Sequence, residues 1–275
     1  MNIVKSIATA ERGVLERAVE QRCKTLVLGD YTALTRVLGD LLLYVDTRDV
    51  MVAPHLMMSG YWEFWVTQAI ARHLRPGMVC ADIGANVGYY TILMAALVGE
   101  KGHVHAFDLL PANRRMLLRS AEINGLRKTV SVHEHGVADH EWDAGIRVPF
   151  SADAFAPLAS TSLTVTAERM GPNVQSGTVP VRALDSLDFG ERLDFVKIDV
   201  EGAEPLVWGG AVATFRRYNP VVCMEYDSWR ARATEHLAGL RQAGYRVRYV
   251  EHDSNLVDLP DTPDPERLYM LWVTR

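Results

Sequence analysis

Only three of the 275 residues are cysteine: Cys23, Cys80 and Cys223, far apart and without a CxxC pair. That excludes a disulfide framework or a zinc knuckle and suits a reducing cytoplasm, the expected location. No run of five or more like charges exists to serve as a basic arm or an acidic tail. With 29 Lys+Arg against 34 Asp+Glu, the formal charge is −5, the wrong sign for a dedicated nucleic-acid binder. The first ten residues alternate apolar and polar side chains, and Glu11 and Arg12 follow at once, which is not a signal peptide. No apolar run reaches the ~20 residues of a membrane span. The uncharged stretch 83–99 is shorter, and it contains Asn86, glycines and paired tyrosines.

What is present is a globular composition, 48% hydrophobic and 23% charged, enough for one large domain with an appendage. Apolar residues at Ile3, Val4, Ile7, Val14, Leu15 and Ala18 follow helical spacing. Residues 26–52 read as short strands broken at Gly29-Asp30 and at the hairpin-like turn Gly39-Asp40. A helix over 61–74 closes at Pro76-Gly77.

From there strands and helices alternate. Strands are predicted at 78–83, 103–107, 130–137, 193–200 and 220–226, with helices between them, and the last two strands lie at 245–250 and 268–274. The alternation predicts an α/β fold: a Rossmann-like, mostly parallel seven-stranded sheet with an antiparallel edge hairpin. Residues 1–60 form a small N-terminal helix and strand extension, and 61–275 the main domain. A long insertion, about 139–191, interrupts that domain, and loops of such length are usually functional or structured.

In open parallel sheets ligands bind at the carboxyl ends of the strands, where strand order reverses. The turn after the first such strand is Gly84-Ala85-Asn86-Val87-Gly88. It carries neither G-x-G-x-x-G nor a Gly-Lys-Ser/Thr phosphate loop. Asp82, just before a helix N-terminus, discourages pyrophosphate and favours a ligand bearing positive charge. Glycines at 84 and 88 leave room for close approach of a ligand. Asp108, 24 residues after Gly84, has the offset of an acid that grips ribose hydroxyls. A nucleoside carrying a cation, such as S-adenosylmethionine, fits both acids.

These residues resemble the FkbM family of S-adenosylmethionine-dependent methyltransferases. The likeness rests on ADIGANVGYYT (81–91), HAFDLLP (105–111), VRALDSL (181–187), FVKIDVEGAE (195–204) and NPVVCMEY (219–226). It covers about residues 60–275, and it departs from the family at Asp108, where the acid is commonly Glu. The resemblance implies a Rossmann-like methyltransferase sheet and O-methylation of a saccharide, glycoside or polyketide-type natural product. It further implies that Asp82, Gly84, Asn86 and Gly88 line the methionine part of the cofactor, that Asp108 holds the ribose and that Ala138 lies beside the adenine. Glu63, beside Trp62, falls in the segment that covers the cofactor.

Methyl transfer to a hydroxyl needs alignment and removal of a proton, by a base, a metal or both. Asp199, Glu201 and Glu204 follow one strand, while Glu225 and Asp227 end another. Asp199 and Glu201 are the candidate catalytic acids, and Asp199 with Glu225 the candidate Mg²⁺ ligands. His133 and His135 share a strand face, and His135, nearer its end, is a candidate base. Trp62, Trp142, Trp208 and Trp229 are candidate sugar-stacking faces. The expected partners are a small-molecule or oligosaccharide acceptor and, through the apolar N-terminal helix, a second copy in a homodimer; no nucleic acid is expected. The competing readings are N- or C-methylation of a small metabolite, a nucleotide-dependent oxidoreductase, and a non-catalytic binding protein of the same fold.

Overall fold

The computed structural model describes residues 3–149, 176–228, 230 and 232–275. Its chain opens with α1 (Ile3–Ser6) and α2 (Arg12–Arg22). The Glu11 side chain caps α2 by accepting from the backbone N–H groups of Gly13 and Val14. Three antiparallel strands follow, β1 (Thr25–Gly29), β2 (Thr32–Val37) and β3 (Leu41–Asp46), and then α3 (Ala53–Met58) and α4 (Phe64–His73). The predicted break at Gly39-Asp40 is the turn between β2 and β3, and Asp40 ties it down by accepting from Ile3 N at 2.7 Å and Arg22 Nη1 at 2.9 Å.

The main sheet uses β4 (Val79–Ile83), β5 (His103–Phe107), β6 (Val130–His133), β10 (Phe195–Ile198), β11 (Val221–Tyr226), β12 (Arg246–Val250), β13 (Leu256–Asp258) and β14 (Tyr269–Thr274). Helices α5 (Tyr89–Val98) and α6 (Pro111–Ile123) connect the strands on one side of β4, with α7 (Glu204–Gly209), α8 (Val212–Tyr218) and α9 (Ala233–Gln242) on the other. Strand order is β13-β12-β14-β11-β10-β4-β5-β6. The five strands from β11 to β6 run parallel. β14 lies between β11 and β12, antiparallel to both, and β13 pairs antiparallel with β12. The sheet therefore has eight strands rather than seven. β13 adds the eighth, and three residues are too short to show a period in the sequence.

The predicted strand over 130–137 is divided. Residues after His133 leave the main sheet, and β7 (Gly136–Val137) joins β9 (Ser176–Arg182), which pairs in turn with β8 (Trp142–Pro149). These strands lie at the two ends of the predicted insertion, whose residues 150–175 fall outside the described residues.

Ile3, Ile7, Leu15 and Val19 are fully buried and share one core with Ile92, Leu93 and Val104 of the main sheet and its α5 layer. The apolar side of the N-terminal helices is therefore buried in the chain's own interior, which corrects the expectation that it forms a dimer interface. Polar contacts reinforce the joint: Asn124 brackets Leu42, accepting from its N–H and donating to its carbonyl, and Ser120 Oγ accepts from Tyr44 N at 3.0 Å.

Candidate active site

The chain runs from β4 outward through β5 and β6, then returns to the other side of β4 with β10 and β11. The reversal opens a crevice above β4, the position at which such sheets bind ligands. A cavity of about 960 Å³ lies there, lined by residues following β4, β5 and β10 and by residues of the N-terminal extension.

The turn after β4 is shaped by the protein itself. A Cβ on Gly84 (φ +81°) would stand 1.8 Å from the Asp199 carbonyl oxygen, and one on Gly88 (φ +98°) would stand 2.6 Å from Leu117 Cγ. Both positions need glycine, but for contacts with neighbouring protein rather than for access by a ligand. Gly84 lines the cavity and Gly88 does not. Asp108 holds the turn in place: its carboxylate accepts from Asn86 N (2.8 Å), Leu110 N (2.8 Å) and Asn113 Nδ2 (3.2 Å). Burial pushes Asp108 up to about 6 against those hydrogen bonds.

Asp82 is not where the sequence argument put it. It is fully buried in β4 and accepts from Thr91 Oγ1 at 2.5 Å, off the cavity wall. Burial raises its pKa, opposed chiefly by nearby Lys197. β4 is covered on both faces, so residue alternation alone does not tell which charged side chain meets a ligand.

Four other carboxylates face the cavity on this side: Glu63, Asp199, Glu201 and Glu225. Lys197, buried in β10, pairs with one of them, Asp199. Its Nζ lies 2.9 Å from Asp199 Oδ2 and 4.6 Å from the Tyr90 ring centroid. Burial alone would pull the Lys197 pKa down, yet Asp199, Asp82 and Glu63 outweigh it and hold the ammonium charged. Tyr90 OH donates to Glu63 Oε2 at 3.0 Å. Burial, aided by the charge of Asp199, pushes Glu63 up to about 7. Lys197 is a functional residue that strand periodicity does not predict; its signal in the sequence is a lysine amid Phe-Val-Lys-Ile, because a charge is buried in an apolar strand only when paired.

Arg230 gathers the remaining acids. Nη2 donates to Glu201 Oε2 at 2.8 Å, Nε donates to Asp227 Oδ2 at 3.2 Å, and Nη2 stands 3.5 Å from Glu225 Oε2. The last is an ion pair without a hydrogen bond, since Glu225 Oε2 is buried with no such partner. Burial and the like charges of Asp199 and Glu201 raise the Glu225 pKa. Glu204 accepts from Val200 N and Gly202 N, fixing the turn that presents Asp199 and Glu201. Glu63, Asn86 and Glu201, all on the cavity wall, have φ of +38°, +51° and +56°. Left-handed non-glycine residues of this kind gather at functional sites.

The donor set does not fit Mg²⁺. Asp199 is engaged by Lys197 and Glu201 by Arg230, which also stands beside Glu225. Among the described residues no cluster of three or more His, Cys, Asp or Glu could hold a metal ion.

His135 lies between β6 and β7, off the cavity wall, with Nδ1 3.1 Å from the Gly136 carbonyl. Burial lowers its pKa. His133 stacks on Phe107 with centroids 4.3 Å apart, and His105 Nδ1 lies 3.1 Å from His133 Nε2. These rings pack on one another along the sheet. Ala138 is fully buried, and its neighbours Gly136 and Val137 line the cavity in its place. Trp62 lines the cavity, while Trp142 and Trp208 do not, and Trp229 lies outside the described residues. Trp65, not singled out from the sequence, does line it, against His252 at 4.9 Å between centroids.

A model of the FkbM methyltransferase domain matches residues 82–247. The chain belongs to the FkbM methyltransferase family. The matched FkbM segment begins at Asp82 and so contains the glycine turn, Asp108 and the whole Lys197–Glu204 segment, and the extension that closes the cavity precedes it. No curated protein matches the chain. Among solved structures, an FkbM methyltransferase from Methylobacillus flagellatus is similar at 18% identity and a TM-score of 0.49, over 79% of this chain and 52% of that one. This FkbM chain thus spans about half the length of that relative. A SAM-dependent O-methyltransferase from Thermotoga maritima is similar at 13% identity and TM-score 0.43 (92% and 86% covered). TYW2 of M. jannaschii, solved in complex with AdoMet, is similar at 13% identity and TM-score 0.45 (90% and 86% covered).

Proposed function

We propose that the cavity binds S-adenosylmethionine and an uncharged acceptor, and that the protein moves a methyl group to a hydroxyl of a saccharide, glycoside or related natural product. The observation that carries this reading is the charge of the cavity wall. Glu16, Asp108, Asp199 and Glu201, joined by Glu63 as it ionises, stand against Arg12, Lys197 and Arg230. A net negative wall favours a sulfonium and an ammonium, and it disfavours the pyrophosphate of a dinucleotide or the backbone of RNA.

Asp108 is the residue suited to the ribose hydroxyls, and the Gly84–Asn86 backbone is suited to the methionine portion. Glu63 supplies the carboxylate for the cation, with Tyr90 fixing its orientation. Gly136 and Val137 flank the adenine. When bound, the cofactor supplies a methyl carbon already activated by its sulfonium. The chain's own task is to hold the acceptor in line with that carbon and to take its proton. We assign the proton to Asp199, oriented by Lys197, with Glu201 and Glu225 shaping the field around it. Acceptor binding falls to the far wall, where Trp62, Trp65, His55, Val50 and Met51 offer flat and apolar surface to a sugar or polyketide face.

Calorimetry with S-adenosylhomocysteine and with NAD, followed by transfer of a labelled methyl group to a panel of glycosides with tRNA as control, tests the reading. Homocysteine-nucleoside binding, glycoside labelling and loss of transfer in Asp199→Asn with cofactor binding retained are the expected results. NAD binding alone, methylated tRNA or a labelled amine would overturn it.

A further inference from the structure

Glu63 caps α4 in an unusual way. A cap residue normally has extended backbone and turns its side chain back to accept from the first helical N–H groups. Glu63 is left-handed, with φ +38°, and its side chain makes no such bond. The carboxylate accepts from Tyr90 at the cavity wall instead. Only the Glu63 carbonyl starts the helix, accepting from Val66 N at 2.9 Å and Thr67 N at 3.0 Å. Left-handed backbone at a residue other than glycine persists only where the surroundings over-determine it.

A chain of two buried hydroxyls supplies that constraint. Thr67, the fourth residue of α4, is fully buried, and its Oγ1 donates to the Trp62 carbonyl at 3.0 Å. Helices often carry a pair of packed apolar side chains at this spacing, whereas α4 carries a hydrogen bond. Tyr89 OH lies 3.0 Å from Thr67 Oγ1. The Thr67 proton is committed to the carbonyl, so Tyr89 is the donor in that second bond. Both anchors of the segment come from one place. Tyr89 and Tyr90 are the first two residues of α5 and follow the glycine turn at once. Tyr89 reaches the main chain at Trp62 through Thr67, and Tyr90 reaches the side chain of Glu63. Thr67 itself is off the cavity wall, so it acts only through these neighbours.

We propose that Thr67, with Tyr89, is a positioning residue: the Tyr89–Thr67–Trp62 hydroxyl chain fixes the left-handed turn at Glu63 and so keeps its carboxylate on the cavity wall. This deepens the reading of Glu63 as the partner of a cationic cofactor and rests on it. Removing the hydroxyl frees the turn to relax to extended backbone, and the carboxylate then leaves its place.

Calorimetry with S-adenosylmethionine on the full chain tests this, beside hydrogen exchange on the unliganded protein. Thr67→Val should bind the cofactor about tenfold more weakly at pH 8. It should also flatten the rise in affinity that ionisation of Glu63 gives between about pH 6 and 8, as Glu63→Gln does. The charges facing Glu63, on Lys197, Asp199 and Glu201, are the same in every variant. Thr67→Ser keeps the hydroxyl and should stay within about twofold of wild type. On a Glu63→Gln background, Thr67→Val should add less than about twofold, because both act through one carboxylate. A threonine that merely supports the fold would lower affinity by the same factor with or without Glu63 and leave the pH profile intact, which overturns the proposal. Exchange over residues 60–67 should run about tenfold faster in Thr67→Val and in Tyr89→Phe, and at the wild-type rate in Thr67→Ser. Wild-type exchange in the first two also overturns it. Should Thr67→Val misfold, Tyr89→Phe carries the same comparisons. A wild type that binds no S-adenosylmethionine refutes the cofactor reading, and exchange, which needs no ligand, then decides the hydroxyl chain by itself.

Discussion

The glycine at position 84 and the carbonyl of Asp199 touch so closely that no side chain fits between them: a Cβ would lie 1.8 Å from the oxygen. The contact joins the turn after β4 to the end of β10, which are the two walls of the site. Gly84→Ala is therefore expected to push those walls apart. Strain of a left-handed alanine alone costs about 1–3 kcal/mol, and the clash is added to it. A lowered melting temperature together with loss of S-adenosylhomocysteine binding checks the expectation.

Lys197 is the counter-charge for the buried acids. Lys197→Met leaves Asp82, Asp199 and Glu63 without it, and removing one partner of a buried ionic cluster costs about 3–5 kcal/mol. The carboxyls of Glu63 and Asp82 already have raised pKa values, and the variant raises them further. Groups raised in the folded state stabilise it at low pH and lose that contribution as pH rises through the folded value. The deficit should be largest near about pH 8 and smallest near about pH 5. Urea melts at both values measure it.

Glu63 supplies a pH signature for the cofactor. Its pKa rises from an ordinary 4.5 to about 7, so only above that pH is the carboxylate mostly ionised. Affinity for a cationic cofactor should rise about tenfold from about pH 6 to 8. Glu63→Gln should flatten the curve. Its stability effect has the opposite sign: the unliganded protein loses the Glu63 contribution between 4.5 and 7. Calorimetry and thermal melts on the same samples separate the two.

Turnover should survive EDTA. Lys197 and Arg230 already supply the positive charge that a divalent ion would bring to Asp199, Glu201 and Glu225. Activity lost in EDTA and regained with Mg²⁺ would refute that arrangement.

Trp65→Ala should raise the acceptor KM about tenfold while leaving S-adenosylhomocysteine affinity in place. Equal loss of both would mean that Trp65 covers the cofactor instead.

Alternation of strands and helices was enough to read the parallel sheet, and the strand-end position of Asp108 was enough to bring it to the crevice. The sequence did not show which way Asp82 points, because Val-Cys-Ala-Asp-Ile is buried on both faces and gives no polar side to orient it. His135 looked like the end of a strand, whereas the chain bends after His133 and carries it off the wall. Lys197 was visible as a misplaced charge. Its partners come from the residue before α4, from β4 and from the end of β10, and have no fixed spacing in the chain. Trp65 is not distinguishable in the sequence because its helix reads simply as apolar.

The sharing of one interior by the first helices and the main sheet has a practical consequence for engineering. The wall assigned to the acceptor is carried by the same segment whose Ile3, Ile7 and Leu15 complete the core. Swapping that segment for a relative's to change selectivity would also replace part of the hydrophobic interior. A workable chimera must therefore keep those inward side chains and vary only the ones facing the cavity.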